Sequence, residues 1–257
     1  MDKRTEQAFA YLEKNEHSMM ELLKNLVSIE TPSADREANE RIAAHLDTYC
    51  DALGMERQIH HFEKAGPTFA AWTRPQEKKP ILLLGHMDTV HAVGKFGPEP
   101  FLVKDDRVYG PGVYDMKGGD VGNLLAAASF IGQDLSQDIW VVGTANEELD
   151  GKGSEDFARY FSQNCSYESA LCVIAEPTDL EKIYIGQRGS HFMKLHFFGK
   201  AGHGSVQEHF QESALGDVTY FLANIEQIFE ELKTYKNSQL HVPTFVVTSI
   251  YAGDEKS

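Results

Sequence analysis

Pro80-Ile81-Leu82-Leu83-Leu84-Gly85-His86-Met87-Asp88-Thr89-Val90 is the stretch on which the reading of the fold turns. Its first half is short and apolar at every position, the pattern of a strand buried on both faces of a sheet. Its second half switches at once to glycine, histidine and aspartate. Two more apolar runs of the same kind follow, Ile139-Trp140-Val141-Val142 and Ala170-Leu171-Cys172-Val173-Ile174. Between the first two, Val121, Leu124, Leu125 and Ala128 share one helical face, and between the last two a shorter helical stretch surrounds Phe157 and Phe161. Buried strands alternating with helices predict an α/β domain with helices on both sides of the sheet.

On the N-terminal side, the first eighty residues read as two amphipathic helices and a strand pair. Ile42, Leu46, Tyr49 and Leu53 step along one face, Gly54 is a natural stop, and Thr31-Pro32-Ser33 breaks the chain between the helices. On the C-terminal side the texture changes near Gly186. His191 to Phe198 alternates as a half-exposed strand does, Val218, Leu222, Ile225, Phe229 and Leu232 predict one long helix, and Pro243 to Tyr251 reads as another strand. That is half of a small α+β layer, so a boundary is expected near residues 186 to 190, dividing the chain into 1–187 and 188–257. There is no internal repeat and no low-complexity linker.

Composition narrows the function. With 24 basic and 39 acidic side chains the formal charge is −15, which disfavours contact with nucleic acid or an anionic membrane. No stretch approaches the roughly eighteen apolar residues of a membrane span, and the N-terminus lacks a signal-peptide core. Cys50, Cys165 and Cys172 are odd in number and form no C-x-x-C pair, so a reducing cytoplasm is the expected home. No G-x-S-x-G elbow, H-E-x-x-H helix, phosphate loop or dinucleotide fingerprint is present.

The chemistry-bearing residues sit at the ends of the apolar runs, where open α/β sheets bind their ligands. The first run ends in His86 and Asp88, the second in Glu147-Glu148, and the third in Glu176. The turn Tyr109-Gly110-Pro111-Gly112-Val113-Tyr114-Asp115 delivers Asp115 at the start of the next helix. Taken singly, each has an ordinary use: His86 as a hydrogen-bonded loop residue, Glu147-Glu148 as a solvated turn, Asp115 as a helix cap. Taken together, imidazole and carboxylates suit zinc, with cobalt or manganese possible, and so many acidic groups in one cleft ask for a cation.

Leu84-Gly85-His86-Met87-Asp88-Thr89-Val90, Gly110-Pro111-Gly112-Val113-Tyr114-Asp115-Met116-Lys117-Gly118-Gly119, Glu147-Glu148 and Ala175-Glu176-Pro177-Thr178 stand in one order along the chain. In that order they resemble the motifs of the co-catalytic zinc metallopeptidase family that includes acetylornithine deacetylase, succinyl-diaminopimelate desuccinylase and glutamate carboxypeptidase. The resemblance runs from about Leu22 to Tyr251. It implies a mixed central sheet with helices on both faces plus a partial α+β lid and dimerisation domain. It implies two zinc ions, cobalt being possible, with His86 and Glu176 on one, Glu148 on the other and Asp115 bridging. Asp88 would orient His86, and Glu147 would be the general base for hydrolysis of an amide. Gly199-Lys200-Ala201-Gly202-His203-Gly204-Ser205 is similar to the family's lid motif, so His203 would stabilise the oxyanion in the partner subunit of a homodimer formed through the lid. The substrate would be a small N-acyl amino acid or a short peptide, with deacylation favoured over glutamate carboxypeptidase or dipeptidase action. The remaining histidines, His17, His45, His60, His61, His91, His191, His196, His209 and His241, match nothing and read as surface or structural.

One departure qualifies this. Family members return to the first domain after the lid and supply a final histidine to the second metal, whereas no histidine follows His241 here, itself inside the lid segment. The expectation is a C-terminally truncated chain that binds one zinc tightly and a second weakly and has little hydrolytic activity. The alternative of another class is a non-catalytic remnant serving as a metal-binding or dimerising module.

Overall fold

The computed structural model describes residues 2–73, 79–165, 168–169, 171–200, 202–203, 205–206 and 208–252. The chain divides into two compact units, Met1–Leu180 and Glu181–Ser257. The first unit opens with α1 (Lys3–Lys14), α2 (Glu16–Ser28) and α3 (Arg36–Ala52), followed by β1 (Glu56–Phe62), β2 (Gly66–Trp72) and β3 (Ile81–His86). A small ribbon, β4 (Leu102–Lys104) and β5 (Arg107–Tyr109), precedes α4 (Gly118–Ala128), β6 (Ile139–Thr144), α5 (Glu147–Asp150), α6 (Lys152–Asn164) and β7 (Leu171–Ile174).

Three helices, not two, precede the sheet. The extra division falls at Asn15 (φ −104°, ψ 12°), whose side-chain amide donates to the Tyr11 carbonyl at 2.7 Å and so satisfies an acceptor of the ending helix. Asn is poor inside helices because its side chain competes for backbone groups in this way. The start of α3 is fixed by Asp35, whose carboxylate accepts from the Ala38 N–H at 2.9 Å.

The sheet is mixed, in the order β1-β2-β6-β3-β7. β3 runs parallel to both β6 and β7, while β1-β2 and β2-β6 are antiparallel. Alternation along β6 sends Ile139 and Val141 to the face covered by Leu22, Leu26, Ile42, Leu46 and Leu124, on α2, α3 and α4. Trp140 and Val142 point to the other face, against Phe157 and Phe161 of α6. Trp140 pairs with Trp72 of β2, and their rings stack at 5.0 Å. Burying such a side chain contributes roughly 1.5–3 kcal/mol, and both faces of β6 carry them. The expectation of helices on both sides of a continuous apolar strand holds for β6.

It does not hold for β7. Leu171, Val173 and Ile174 are 54%, 41% and 56% exposed, and among the described residues β7 pairs with β3 alone. A run apolar at every position reads the same whether it is covered on both faces or lies at an open edge.

In the second unit, α7 (Glu208–Gln211) precedes α8 (Ala214–Ala223) and α9 (Ile225–Leu232). The single helix expected over Val218 to Leu232 is two. They part at Asn224 (φ −109°, ψ 8°), whose amide donates to the Tyr220 carbonyl at 2.7 Å, repeating the arrangement at Asn15. The strands expected at His191–Phe198 and Pro243–Tyr251 are absent from the described structure, and the one bridge in this unit joins Asn237 and His241. Alternation tells which way side chains would point, but a strand exists only where another backbone supplies the ladder. No helix among the described residues is long and apolar enough to cross a membrane.

Candidate metal centre

β3 and β6 are in register through His86 and Thr144, so both strands release their chains at the same edge of the sheet. The loop after β3 is tied to the break between α2 and α3: the Thr31 hydroxyl donates to the Met87 carbonyl at 2.7 Å, and the Thr89 N–H donates to the Thr31 carbonyl at 2.8 Å. This holds His86 at 2% and Asp88 at 0% exposure.

The His86 Nδ1–H donates to the Asp88 backbone carbonyl at 3.0 Å, with the Asp88 carboxylate further off at 3.6 Å. Nε2 then faces Asp115 Oδ1 at 3.1 Å, Glu176 Oε1 at 3.5 Å and Glu147 Oε2 at 3.9 Å. One ligand atom each from His86, Asp115 and Glu176 lies within 4.8 Å of the others. With the imidazole neutral, Nε2 presents a lone pair to these carboxylate oxygens, an arrangement that is repulsive unless a proton or a metal cation lies between them. Burial pulls the His86 imidazole down, but hydrogen bonding to Asp88 and the field of Asp88, Glu176 and Asp120 lift it to about 10. Burial, reinforced by Asp115 and Glu147, raises Glu176 to about 7 against the pull of His86. Burial and the charges of Asp115 and Glu147 also raise Glu148. These groups resist ionising together, and the donor set and its geometry fit a divalent cation.

Asp88 does more than its sequence position suggested. Its carboxylate accepts the backbone N–H groups of Glu147 at 3.1 Å and Glu148 at 3.3 Å. The chain turns into α5 through Asn146 at φ 70°, and Glu147 remains 43% exposed at the margin of the cluster. Although burial opposes it, hydrogen bonding to His86 and Ser33 keeps the Asp88 carboxyl below its ordinary range.

Asp115 is presented by the turn Val113–Lys117, entered through Gly112 at φ 74°. A methyl group on Gly112 would lie 2.7 Å from Thr89 Cγ2, so this position needs glycine for both conformation and space. The Tyr114 hydroxyl donates to Asp179 at 2.5 Å, linking this turn to the segment after Glu176.

Of the expected site residues, His86, Asp115 and Glu176 converge, with Glu147 beside them and Asp88 beneath. Glu148 is half-buried next to them but lies outside the three-residue group. His203 belongs to the second unit, where its Nδ1 accepts from the Ser205 hydroxyl at 2.7 Å and the Ser205 N–H at 3.2 Å. Sequence reasoning passed over Lys117 and Asp120, both buried beside the site. Burial lowers Lys117 to about 8 and raises Asp120 to about 8. The signal for Lys117 was a lone cation in a glycine-rich turn, two residues after Asp115.

A mixed sheet with imidazole and carboxylates gathered at its strand ends defines a class, the α/β domains that hold a cation at the carboxyl edge of the sheet. Within that class, the chain belongs to Peptidase family M20/M25/M40, whose model matches residues 82–245. It is 30% identical over 231 residues to the acetylornithine deacetylase of Aliivibrio fischeri, covering 87% of this chain and 59% of that protein. It is 26% identical over 240 residues to carboxypeptidase G2 of a Pseudomonas species, covering 91% of this chain and 57% of that protein. The chain therefore spans less than two thirds of the length of these relatives. Among solved structures, human carnosine dipeptidase 1 is similar in fold, with a TM-score of 0.57, 22% identity, and coverage of 66% of this chain and 40% of that one. A metallo-carboxypeptidase from Sulfolobus solfataricus gives a TM-score of 0.52 at 20% identity, over 61% of this chain and 37% of that one.

Proposed function

We propose that the chain carries the zinc site of an amidohydrolase that releases the acyl group of an N-acyl amino acid, with His86, Asp115 and Glu176 as ligands. The observation that carries this reading is the convergence of those three ligand atoms within 4.8 Å on a buried imidazole. When bound, zinc supplies Lewis-acid polarisation of the amide carbonyl and acidifies water. The chain's own residues do the rest. The His86 Nδ1–H is engaged by Asp88, which fixes the tautomer and keeps Nε2 on the metal side. Glu147, partly exposed and held at its backbone by Asp88, accepts the proton of the attacking water and returns it to the leaving amine. Asp115 and Glu148 would hold a second, weaker metal, cobalt being an alternative to zinc at either position. One tight zinc is expected, because Glu148 stands outside the converging group.

In this reading residues 1–187 form the catalytic part and 188–257 part of a lid through which two cytoplasmic chains pair, His203 acting in trans on the oxyanion. A second reading, a glutamate carboxypeptidase or dipeptidase with the same machinery, is favoured by the likeness to carboxypeptidase G2. Zinc titration followed by assay on N-acetylornithine and on a peptidyl-glutamate separates the two. Glu147→Gln should keep the tight zinc and lose roughly 10²–10⁴ of any turnover. Failure of the wild-type chain to hold zinc would overturn the reading, two equally tight zincs would overturn the one-site assignment, and brisk turnover of either substrate would overturn the expectation of little activity for this chain.

A further inference from the structure

Lys117 has 0% of its surface exposed. Its Nζ donates to the carbonyls of Leu26 and Ile29, each at 2.9 Å. Those carbonyls belong to the last turn and C-cap of α2, which ends at Ser28, so they have no helical N–H to accept and present the negative end of the helix dipole. The Lys117 backbone N–H also donates to the Gly112 carbonyl at 2.7 Å, closing the turn that carries Asp115. The stem passes so close beneath the turn that a methyl on Gly112 would lie 3.2 Å from Lys117 Cδ. A charged side chain is thus buried where its contacts fasten one turn to one helix end, and that turn holds the exposed ligand Asp115, whose carboxylate is 51% exposed.

We propose that Lys117 is the positioning residue for Asp115: it clamps the Val113–Lys117 turn onto the C-terminus of α2 and thereby fixes the Asp115 carboxylate opposite His86 Nε2. The buried ammonium fits this task because its donors diverge toward two carbonyls on a different element, whereas an apolar side chain would fill the space and leave the turn free to shift. Outer groups that orient metal ligands typically change metal affinity by roughly 10- to 100-fold when removed.

The inference rests on the metal-site reading above, and the test keeps the two separable. Zinc affinity is measured by chelator competition, and the visible absorption of the cobalt-loaded chain reports ligand geometry. Lys117→Met, close in volume but without donors, should bind zinc about 10- to 100-fold more weakly and shift the cobalt bands. Lys117→Gln, with an amide able to reach one carbonyl, should lose less and serves if the methionine variant does not fold. Phe161→Leu, on the opposite face of the sheet, supplies a destabilised comparator that should bind zinc as wild type does. If both Lys117 variants bind zinc within about threefold of wild type with unchanged cobalt bands, Lys117 only supports α2 and the proposal is wrong. If wild type itself binds no zinc, the metal reading falls and this inference falls with it.

Discussion

An imidazole can be held charged or held neutral by its surroundings, and this chain does both. His86 is raised by the carboxylates around it, whereas His60 on β1 is lowered by burial and by its neighbour His61. His60 packs its ring against Tyr160 with centroids 4.1 Å apart. His45 is lowered by burial too, and its Nε2 finds no hydrogen-bond partner among the described residues. The sign follows from linkage. Above the unfolded value of about 6.5 both states are neutral and the residue contributes no pH dependence. Below it the unfolded chain takes up a proton that the folded chain refuses, so stability falls. In the metal-free protein the raised His86, Glu176 and Asp120 act in the opposite sense, so the contribution of His60 is read as a difference: on going from pH 7.5 to pH 5.5, wild type should lose urea stability relative to His60→Phe, which keeps a ring but cannot titrate. An equal change in both proteins would remove His60 from the account.

At the scale of elements, α4 couples the sheet to the site through its glycines. A methyl on Gly119 would lie 2.2 Å from the Ala175 carbonyl oxygen and 3.0 Å from Ala175 Cβ, directly before Glu176. Gly119→Ala should therefore destabilise the first unit by roughly 1–3 kcal/mol, as overpacking does, and weaken zinc binding by displacing Glu176. Gly122, three residues on in the same helix, has nothing within 4 Å of the same atom. Gly122→Ala should stabilise by about 0.5–1 kcal/mol without touching zinc affinity. Thermal melts and zinc competition on the pair decide it. What the sequence made legible follows the same physics. β3 and β6 could be read because burial on both faces makes them apolar throughout, α4 because burial on one face imposes a helical period, and His86, Asp115 and Glu176 because they stand where the apolar runs and this helix end or begin. β7 could not be read as an edge, since Leu171 to Ile174 carry no mark of what covers them. The divisions at Asn15 and Asn224 were hidden because the apolar stepping continues through them, and the work of Lys117 because its partners, Leu26 and Ile29, are backbone carbonyls that no side-chain pattern announces.

For the whole molecule, the surplus of acid is mostly a surface property: five of the 39 acidic residues, Asp88, Asp115, Glu147, Glu148 and Glu176, stand at the metal cluster. On the proposed reading, the first unit's stability depends on metal. A cation that binds the folded unit and not the unfolded chain adds about 2.7 kcal/mol at a hundred times its dissociation constant. Zinc should raise the melting temperature of the first unit and a chelator should reverse it; a melt indifferent to both would count against a preformed site.

The pairing of Trp72 with Trp140 makes that melt observable. The chain has two tryptophans, and both lie in this one contact between β2 and β6. The Trp140 ring is 2% exposed and its indole N–H has no hydrogen-bond partner among the described residues, so its emission should be blue-shifted in the folded state and move to the red on opening. The stacked indoles should also couple in near-ultraviolet dichroism, a signal that vanishes when the strands separate. The second unit contains no tryptophan and is dark at these wavelengths. Indole fluorescence thus times the parting of the first unit's sheet alone, and its lag or lead against far-ultraviolet dichroism measures how independently the two units unfold.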